Sequence, residues 1–171
     1  MVHPPSKYAA AMKRSVTPVY NNRIMEILLI EDNPADIRLT LEAFQELEIP
    51  NHVNVVMDGV EAMVFLRREG VHQSAPVPDL ILLDLNLPLK NGREVLEEVK
   101  TDDDLKHIPV VVLTTSRAEE DVLQAYRLHA NCYLTKPSDL DQFFTVIQEI
   151  QQFWFGLTRI PHYIPTESCK K

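Results

Sequence analysis

The sequence predicts an α/β fold: one doubly wound, parallel, five-stranded sheet with helices on both faces. Short apolar runs alternate five times with segments whose apolar residues recur every three or four positions. Such alternation is typical of parallel strands joined by right-handed helical crossovers. The runs are too short to span a membrane and have the length of strands buried on both faces. They occupy residues 27–30, 53–56, 80–83, 109–113 and 132–134.

Helix signals fill the segments between these runs. Asn33-Pro34 is a typical N-cap followed by a first helical residue, and Ser116 with Glu119 has the spacing of a capping box. Ser138 is expected to cap the last helix, whereas Asn91-Gly92 indicates a turn. The first helix carries an apolar stripe of Ile37, Leu41, Phe44 and Leu47. The predicted helices cover residues 34–47, 60–68, 93–100, 117–129 and 139–155.

Composition and charge narrow the class of protein. Hydrophobic residues make up 45% of the 171 residues and charged residues 25%, with a formal net charge of -8. That charge argues against non-specific nucleic-acid binding and against attraction to anionic lipid. No apolar run reaches the roughly 18 residues of a membrane span, and no signal-peptide core follows Met1. Cys132 and Cys169 suggest neither a disulfide framework nor a zinc site, so the expected compartment is the cytoplasm.

Four of the five strands end in a residue that can take part in chemistry. The strand ends are Glu31-Asp32, Asp84, Thr114 and Lys136. Parallel strands place these ends on one edge of the sheet, where open α/β folds bind ligands. Taken singly, each has a plainer explanation: Asp84 and Thr114 could simply end strands, and Lys136 could be an ordinary turn lysine. Their joint occurrence favours one functional site.

The residue types at this edge favour phosphoryl chemistry. Three neighbouring carboxylates repel one another unless a cation is present, and hard oxygen ligands suit Mg²⁺. No glycine-rich loop could hold a nucleoside triphosphate, and no Ser or Cys lies beside a base for acyl transfer. An aspartate beside a cation, a hydroxyl and a lysine suits acceptance of a phosphoryl group.

At this point the chain resembles the receiver domain of response regulators in bacterial two-component signalling. Four motifs occur in the order found in that family: ILLIEDNP, LILLDLNLP followed by NG, VVVLTTS, and YLTKP. The resemblance covers about residues 25–155 and implies the flavodoxin-like (βα)5 receiver fold. It also implies a sensor histidine kinase as partner and Mg²⁺ as cofactor.

The resemblance assigns roles to individual residues at the acidic end of the site. It implies that Asp84 is phosphorylated from a phosphohistidine. It further implies that Asp32 and Asp84 bind Mg²⁺ together with the backbone carbonyl of Asn86. Glu31 is expected to contact the metal mostly through water.

The remaining roles implied by the resemblance lie on the fourth and fifth strands. Thr114 is expected to be the switch hydroxyl that moves to the phosphoryl oxygens, and Lys136 to pair with the phosphoryl group. A cis Lys136-Pro137 bond is also implied. Tyr133 matches the aromatic residue that turns inward when Thr114 moves, carrying the change to the surface of helix four and strand five.

Two features depart from the family pattern. Asp84 follows Asp32 by 52 residues, more than in compact receivers, and the excess is expected in the loop 70–78. Thr115 lies where Ala or Ser is usual, which could slow access of water to the acyl phosphate.

The C-terminal segments predict an interaction surface. The last helix has the core stripe Leu140, Phe143, Phe144, Ile147, Ile150 and Trp154, to which Val146, Phe153 and Phe155 add further apolar area. Such a surplus usually marks a partner surface, here a homodimer through helix four, strand five and helix five. Alternatively, the tail 157–165 folds back over it.

The expected organisation is a flexible basic arm at 1–23, the receiver at 24–155 and a tail at 156–171 without an output domain. The Phe153-Trp154 pair and the proline-containing tail are similar to the stand-alone regulators of bacterial phytochrome histidine kinases.

Two other classes of function share features with this site. A phosphatase or mutase of the haloacid-dehalogenase type also forms an aspartyl phosphate with Mg²⁺. It would need a second Asp two residues after the nucleophile, where this chain has Asn86. A receiver that acts as a binding scaffold without phosphorylation stays open, although the complete set of five site residues disfavours it.

Overall fold

The computed structural model describes residues 23–46 and 49–160. Its sheet has five parallel strands in the order β2-β1-β3-β4-β5. The strands are β1 (Met25–Ile30), β2 (Asn51–Val56), β3 (Leu80–Leu83), β4 (Val110–Thr114) and β5 (Cys132–Thr135). The helices are α1 (Pro34–Glu46), α2 (Gly59–Leu66), α3 (Gly92–Thr101), α4 (Glu119–Arg127) and α5 (Leu140–Gln151). The doubly wound fold predicted from the apolar runs is therefore confirmed.

Each face of the sheet has its own apolar core. Side chains of α2, α3 and α4 pack on one face around Leu28, Ile81 and Val112. Those of α1 and α5 pack on the other face around Leu29, Leu82 and Val111. Strands β3 and β4 are buried along their whole length, because helices cover both of their faces. This rigid double core holds the carboxyl ends of the strands in fixed positions.

The predicted helix starts are correct in part. Asn33 caps α1 by accepting a hydrogen bond of 2.9 Å from the Ala35 N–H. Asn91-Gly92 does not end a segment as predicted; Asn91 begins α3 as an N-cap, with Glu94 completing a capping box. An Asn side chain favours both turns and helix caps, so the local sequence does not distinguish these two uses. The position of α3 in the fold makes Asn91 a cap.

The predicted caps of α4 and α5 are wrong. Helix α4 begins at Glu119 without a side-chain cap, because its N-cap position is occupied by Ala118, which has no side-chain acceptor. The Ser116 hydroxyl lies two residues earlier, where it donates to Asp121 and accepts from the Ala118 N–H at 3.4 Å. Helix α5 is capped by Asp139, which accepts a hydrogen bond from the Gln142 N–H at 2.9 Å.

Some apolar side chains in the C-terminal part of the described chain are buried, and others are exposed. A π-helical turn, Gln152–Leu157, follows α5. Phe155 is buried, whereas Phe153 is half exposed.

Ile160 packs against the core and lies near Pro78 and Pro109, which precede β3 and β4. The alternative that the tail 157–165 folds back over the apolar surplus of the last helix stays a prediction, because residues 161–165 lie outside the described part of the chain.

Several predictions fall outside the described residues: most of the basic arm, Leu47, Cys169 and the tail beyond residue 160. Arg23, the last residue of the predicted arm, forms an ion pair with Asp79. The predicted loop 70–78 contains one 3₁₀ turn, Gly70–His72. Within the described ranges, no helix is both long and apolar enough to cross a lipid bilayer.

Candidate functional site

Strand register brings two of the predicted acidic residues together. Ile30 of β1 pairs with Leu83 of the neighbouring parallel strand β3, so Glu31 and Asp84 leave the sheet side by side. The Asp84 N–H donates a hydrogen bond of 3.0 Å to the Ile30 carbonyl. Both carboxylates are buried. The sheet itself therefore fixes their relative position.

Lys136, which follows β5, lies among three carboxylates. Its Nζ atom donates to Oε2 of Glu31 at 2.5 Å and to Oδ2 of Asp84 at 2.7 Å. A third hydrogen bond of 2.8 Å reaches Oδ2 of Asp36 in the first turn of α1. The lysine side chain is only 5% exposed. The structure thus unites the predicted Glu31, Asp84 and Lys136 and adds Asp36, which the sequence analysis did not name.

The electrostatic balance keeps Asp84 and Lys136 charged. Burial raises the pKa of Glu31 to about 7, against the opposing effect of Lys136. Burial would also raise the pKa of Asp84, but the Asn86 N–H and the Lys136 ammonium hold it below its usual range. Burial would lower the pKa of Lys136, yet its hydrogen bonds to the three carboxylates outweigh that effect and raise it. At neutral pH, Asp84 is therefore an ionised, buried carboxylate beside a charged amine.

The second oxygen of Asp84 is oriented by the connection to α3. Oδ1 accepts a hydrogen bond of 3.0 Å from the Asn86 N–H. The Gly92 N–H donates to the Leu85 carbonyl at 3.0 Å, and a Cβ atom on Gly92 would collide with the carbonyl oxygen of Asp84. Glycine is therefore required there so that the start of α3 can lie against the backbone of Asp84.

Thr114 lies at the same edge, at the end of β4. Its Oγ1 accepts a hydrogen bond of 3.4 Å from the Asn86 side chain and one of 3.5 Å from the Ser116 N–H. Both bonds are long, whereas a hydrogen bond between the Thr114 hydroxyl and the Asp84 carboxylate helps to lower the pKa of Asp84. Thr115, the next residue, is exposed.

A polar chain connects the loop after Thr114 to the helices on that face. The Tyr133 hydroxyl donates to the Ser116 carbonyl at 3.0 Å. Asp121 of α4 accepts hydrogen bonds from the Ser116 hydroxyl and, at 2.5 Å, from Arg93 of α3. These two partners hold the pKa of Asp121 below its usual range. Sequence patterns around Arg93 and Asp121 gave no sign of this contact, since the two lie on different helices.

The chemistry of the acidic edge fits a divalent cation. One ammonium faces three carboxylates, which leaves negative charge uncompensated. Asp32, the residue after Glu31, is partly exposed. Within the described ranges, no group of three or more His, Cys, Asp or Glu side chains is arranged to hold a metal ion by itself; the three carboxylates named above converge on Lys136 instead. Mg²⁺ needs only one or two carboxylates with carbonyl and water oxygens. Asp32, Asp84 and the Asn86 carbonyl supply suitable donor types.

The predicted cis bond before Pro137 is wrong. The Lys136-Pro137 peptide bond is trans, as are the other peptide bonds between described residues. Because cis and trans forms before proline differ little in intrinsic free energy, the local sequence does not fix the isomer.

Comparison with known proteins gives the family. Residues 27–148 match the family model described as the response regulator receiver domain. The chain belongs to the response-regulator receiver family. The receiver is 50% identical over 135 residues to response regulator Rcp1 of Synechocystis sp., a match covering 79% of this chain and 92% of Rcp1.

Solved structures of similar receivers extend this result. The Mn²⁺-bound form of Rcp1 has a TM-score of 0.78 at 49% identity, covering 81% of this chain and 99% of that one. The phosphorylated cyanobacterial phytochrome response regulator RcpA has a TM-score of 0.80 at 51% identity, covering 82% and 100%. The expected likeness to phytochrome response regulators is therefore confirmed.

A more distant receiver carries magnesium. The receiver domain of a Pseudomonas aeruginosa sensor histidine kinase, with a magnesium ion coordinated in its active-site cleft, has a TM-score of 0.62 at 27% identity. The match covers 78% of this chain and 98% of the Pseudomonas aeruginosa receiver.

Proposed function

We propose that this receiver accepts a phosphoryl group on Asp84 from the phosphohistidine of a sensor histidine kinase. One observation carries the proposal: Asp84 is buried and ionised, with one oxygen on the Lys136 ammonium and the other on the Asn86 N–H. A carboxylate held in this way is a positioned nucleophile. The similarity to phosphorylated RcpA supports the same role.

The residues then act in a defined order. An oxygen of Asp84 attacks phosphorus, so that a P–O bond forms while the P–N bond to the kinase histidine breaks and its electron pair stays on the imidazole. Lys136 transfers one of its hydrogen bonds to a phosphoryl oxygen and stabilises the charge there. Mg²⁺, held by Asp32, Asp84 and the Asn86 carbonyl, with Glu31 acting through water, would offset further negative charge.

Thr114 and Tyr133 would carry the signal outward. The Thr114 hydroxyl, which lies beside the Asp84 carboxylate, moves to donate to a phosphoryl oxygen, which draws the following loop with it. Tyr133 is tied to that loop through the Ser116 carbonyl and packs against the core. Its ring would follow and change the surface formed by α4, β5 and α5. Hydrolysis of the acyl phosphate at this site is expected to be slow, because Thr115 narrows access for water.

The same surface favours a homodimer. Four apolar side chains on these helices or next to them are half exposed: Leu123 and Tyr126 on α4, Leu140 on α5 and Phe153 just beyond it. Grouped apolar surface usually marks an interface, and α4 and α5 flank the edge strand β5. We infer that a second copy of this chain covers it. The likeness to RcpA favours a phytochrome kinase as the phosphoryl donor, with exchange in the cytoplasm.

The experiment is phosphorylation by acetyl phosphate with Mg²⁺, followed by intact mass and a sizing column. Wild type is expected to gain one phosphoryl group and Asp84→Asn none. Asp104→Asn, an exposed acid in the loop before β4, is the matched control and should behave as wild type. No gain by wild type would contradict the proposal and favour a scaffold that acts without phosphorylation. A change in size with phosphorylation would link the dimer to the signal.

A further inference from the structure

We propose that Asp36 is a positioning residue that fixes the Lys136 ammonium so that one of its N–H groups points at Oδ2 of the phosphoryl acceptor Asp84. The proposal rests on the phosphoryl-acceptor function and names a residue that acts in it through Lys136. Asp36 was not among the residues that the sequence or the family motif marked.

The hydrogen-bond count at Lys136 is the first argument. A lysine ammonium has three N–H donors, and all three are used, on Glu31, Asp36 and Asp84. Each acceptor comes from a different element: the end of β1, the first turn of α1 and the end of β3. Three acceptors in different directions define one position for the nitrogen.

Phosphorylation of Asp84 changes the contacts of Lys136. The Asp84 carboxylate becomes an acyl phosphate, and the hydrogen bond from Lys136 must pass to the new group. Glu31 and Asp36 are then the two contacts that keep the ammonium in place. Lysine has a long side chain with much rotamer freedom to lose, so a single remaining contact would leave the nitrogen free to pivot.

The position of Asp36 makes its role specific. Its side chain is 22% exposed and lines a groove with Leu39, Thr115, Pro137 and Leu140. Without the Asp36 carboxylate, this groove offers Lys136 an outward path toward water. Asp36 therefore holds the amine on the inner side, against Asp84.

Two substitutions of Asp36 distinguish the loss of its hydrogen-bond acceptor from the loss of its negative charge. Asp36→Asn keeps an oxygen that can accept from Nζ but removes the negative charge, whereas Asp36→Ala removes both. We expect Asp36→Ala to take up phosphate from acetyl phosphate about tenfold more slowly, since small misplacements of reacting groups are costly. Asp36→Asn should stay within about twofold of wild type, because the acceptor remains.

Asp139→Asn is the matched control. It removes one charge from the same groove, its described hydrogen bond is to Gln142 rather than to Lys136, and Asn also caps helices well. Uptake by this variant should equal that of wild type. Equal slowing in Asp36→Asn and Asp36→Ala would assign the effect to charge and overturn the positioning role. Wild-type uptake in Asp36→Ala would overturn it as well.

A second measurement does not depend on phosphorylation. In protein without acetyl phosphate or Mg²⁺, the Lys136 ammonium protons are expected to give a resolved ¹H–¹⁵N signal, because a fixed, buried amine exchanges slowly. The signal should persist in Asp36→Asn and disappear in Asp36→Ala. If wild type takes up no phosphate while this pattern holds, the phosphoryl-acceptor function fails and the positioning of Lys136 stands. Absence of the signal in wild type would contradict a fixed ammonium.

Discussion

The hydroxyl group of Tyr133 donates a hydrogen bond of 3.0 Å to the carbonyl oxygen of Ser116. This bond joins β5 to the loop that follows Thr114, two elements that the chain itself separates by α4. Tyr133→Phe removes only the hydroxyl and should lower the free energy of unfolding by about 0.5–1.5 kcal/mol. Urea unfolding would measure the loss. The control Tyr126→Phe, at a half-exposed ring on α4, should change little, and an equal loss in both variants would contradict the assignment.

The Arg93–Asp121 ion pair should contribute to stability because it is partly sheltered. Its side chains are 28% and 18% exposed, and the hydrogen bond is 2.5 Å long. A double-mutant cycle with Arg93→Met and Asp121→Asn should give a coupling of about 0.5–1 kcal/mol. The exposed pair Arg38–Glu42, at 3.7 Å, should show no measurable coupling. If neither pair shows a measurable coupling, partial burial does not strengthen the Arg93–Asp121 ion pair.

Gly92→Ala should be strongly destabilising. The new methyl group would collide with the carbonyl oxygen of Asp84 and the backbone of Leu85, and overpacking of this kind costs about 1–3 kcal/mol. Thermal and urea unfolding would measure it. Gly70→Ala is the comparison, because Gly70 has open space around it and only a positive φ of 52° to oppose a side chain. A larger loss at Gly70 would contradict the steric argument.

Leu89→Asn should stabilise the protein. Leu89 has a φ of 64° and is 83% exposed, so it bears the strain of a left-handed residue without burying its side chain. Asn tolerates this conformation better, and the gain should be about 0.5–1 kcal/mol, below the full left-handed penalty. Urea unfolding measures it, with Leu123→Asn on helix α4 as a control that should show no gain. If Leu89→Asn lowers the free energy of unfolding instead, the Leu89 side chain makes a stabilising contact and the prediction is contradicted.

Stability should depend on Lys100 at alkaline pH. Its amine donates to the Ile108 carbonyl at 2.6 Å and to the Asn131 side chain at 3.0 Å, and burial lowers its pKa from 10.5 to about 8. Between pH 8 and 10.5 the unfolded chain still holds a proton that the folded chain has released, so stability rises with pH. In urea unfolding, the free energy of unfolding of wild type minus that of Lys100→Met should increase between pH 7.5 and 9.5. A constant difference, as expected for the exposed Lys106→Met, would contradict the lowered pKa.

Much of the fold could be read from the sequence because its signals are local. A buried parallel strand needs a continuous apolar run, and the runs at 27–30 and 80–83 lie within β1 and β3. The convergence of Glu31, Asp84 and Lys136 also followed from sequence, since the carboxyl ends of parallel strands share one edge. The starts of the helices were predicted less accurately than the strands. Ser116, Ser138 and Asn91 all suit caps or turns, and only their packed surroundings selected among those uses.

The sequence by itself determined the five strands, the alternating helices and the acidic edge where Asp84 lies, because periodicity and strand ends are properties of short segments. Tertiary structure alone decided which side chains meet across that edge. Lys136 and Asp36 are 100 residues apart, and Arg93 and Asp121 lie on different helices. Their contacts depend on how whole helices pack on the sheet, to within the few ångströms that a hydrogen bond or ion pair allows.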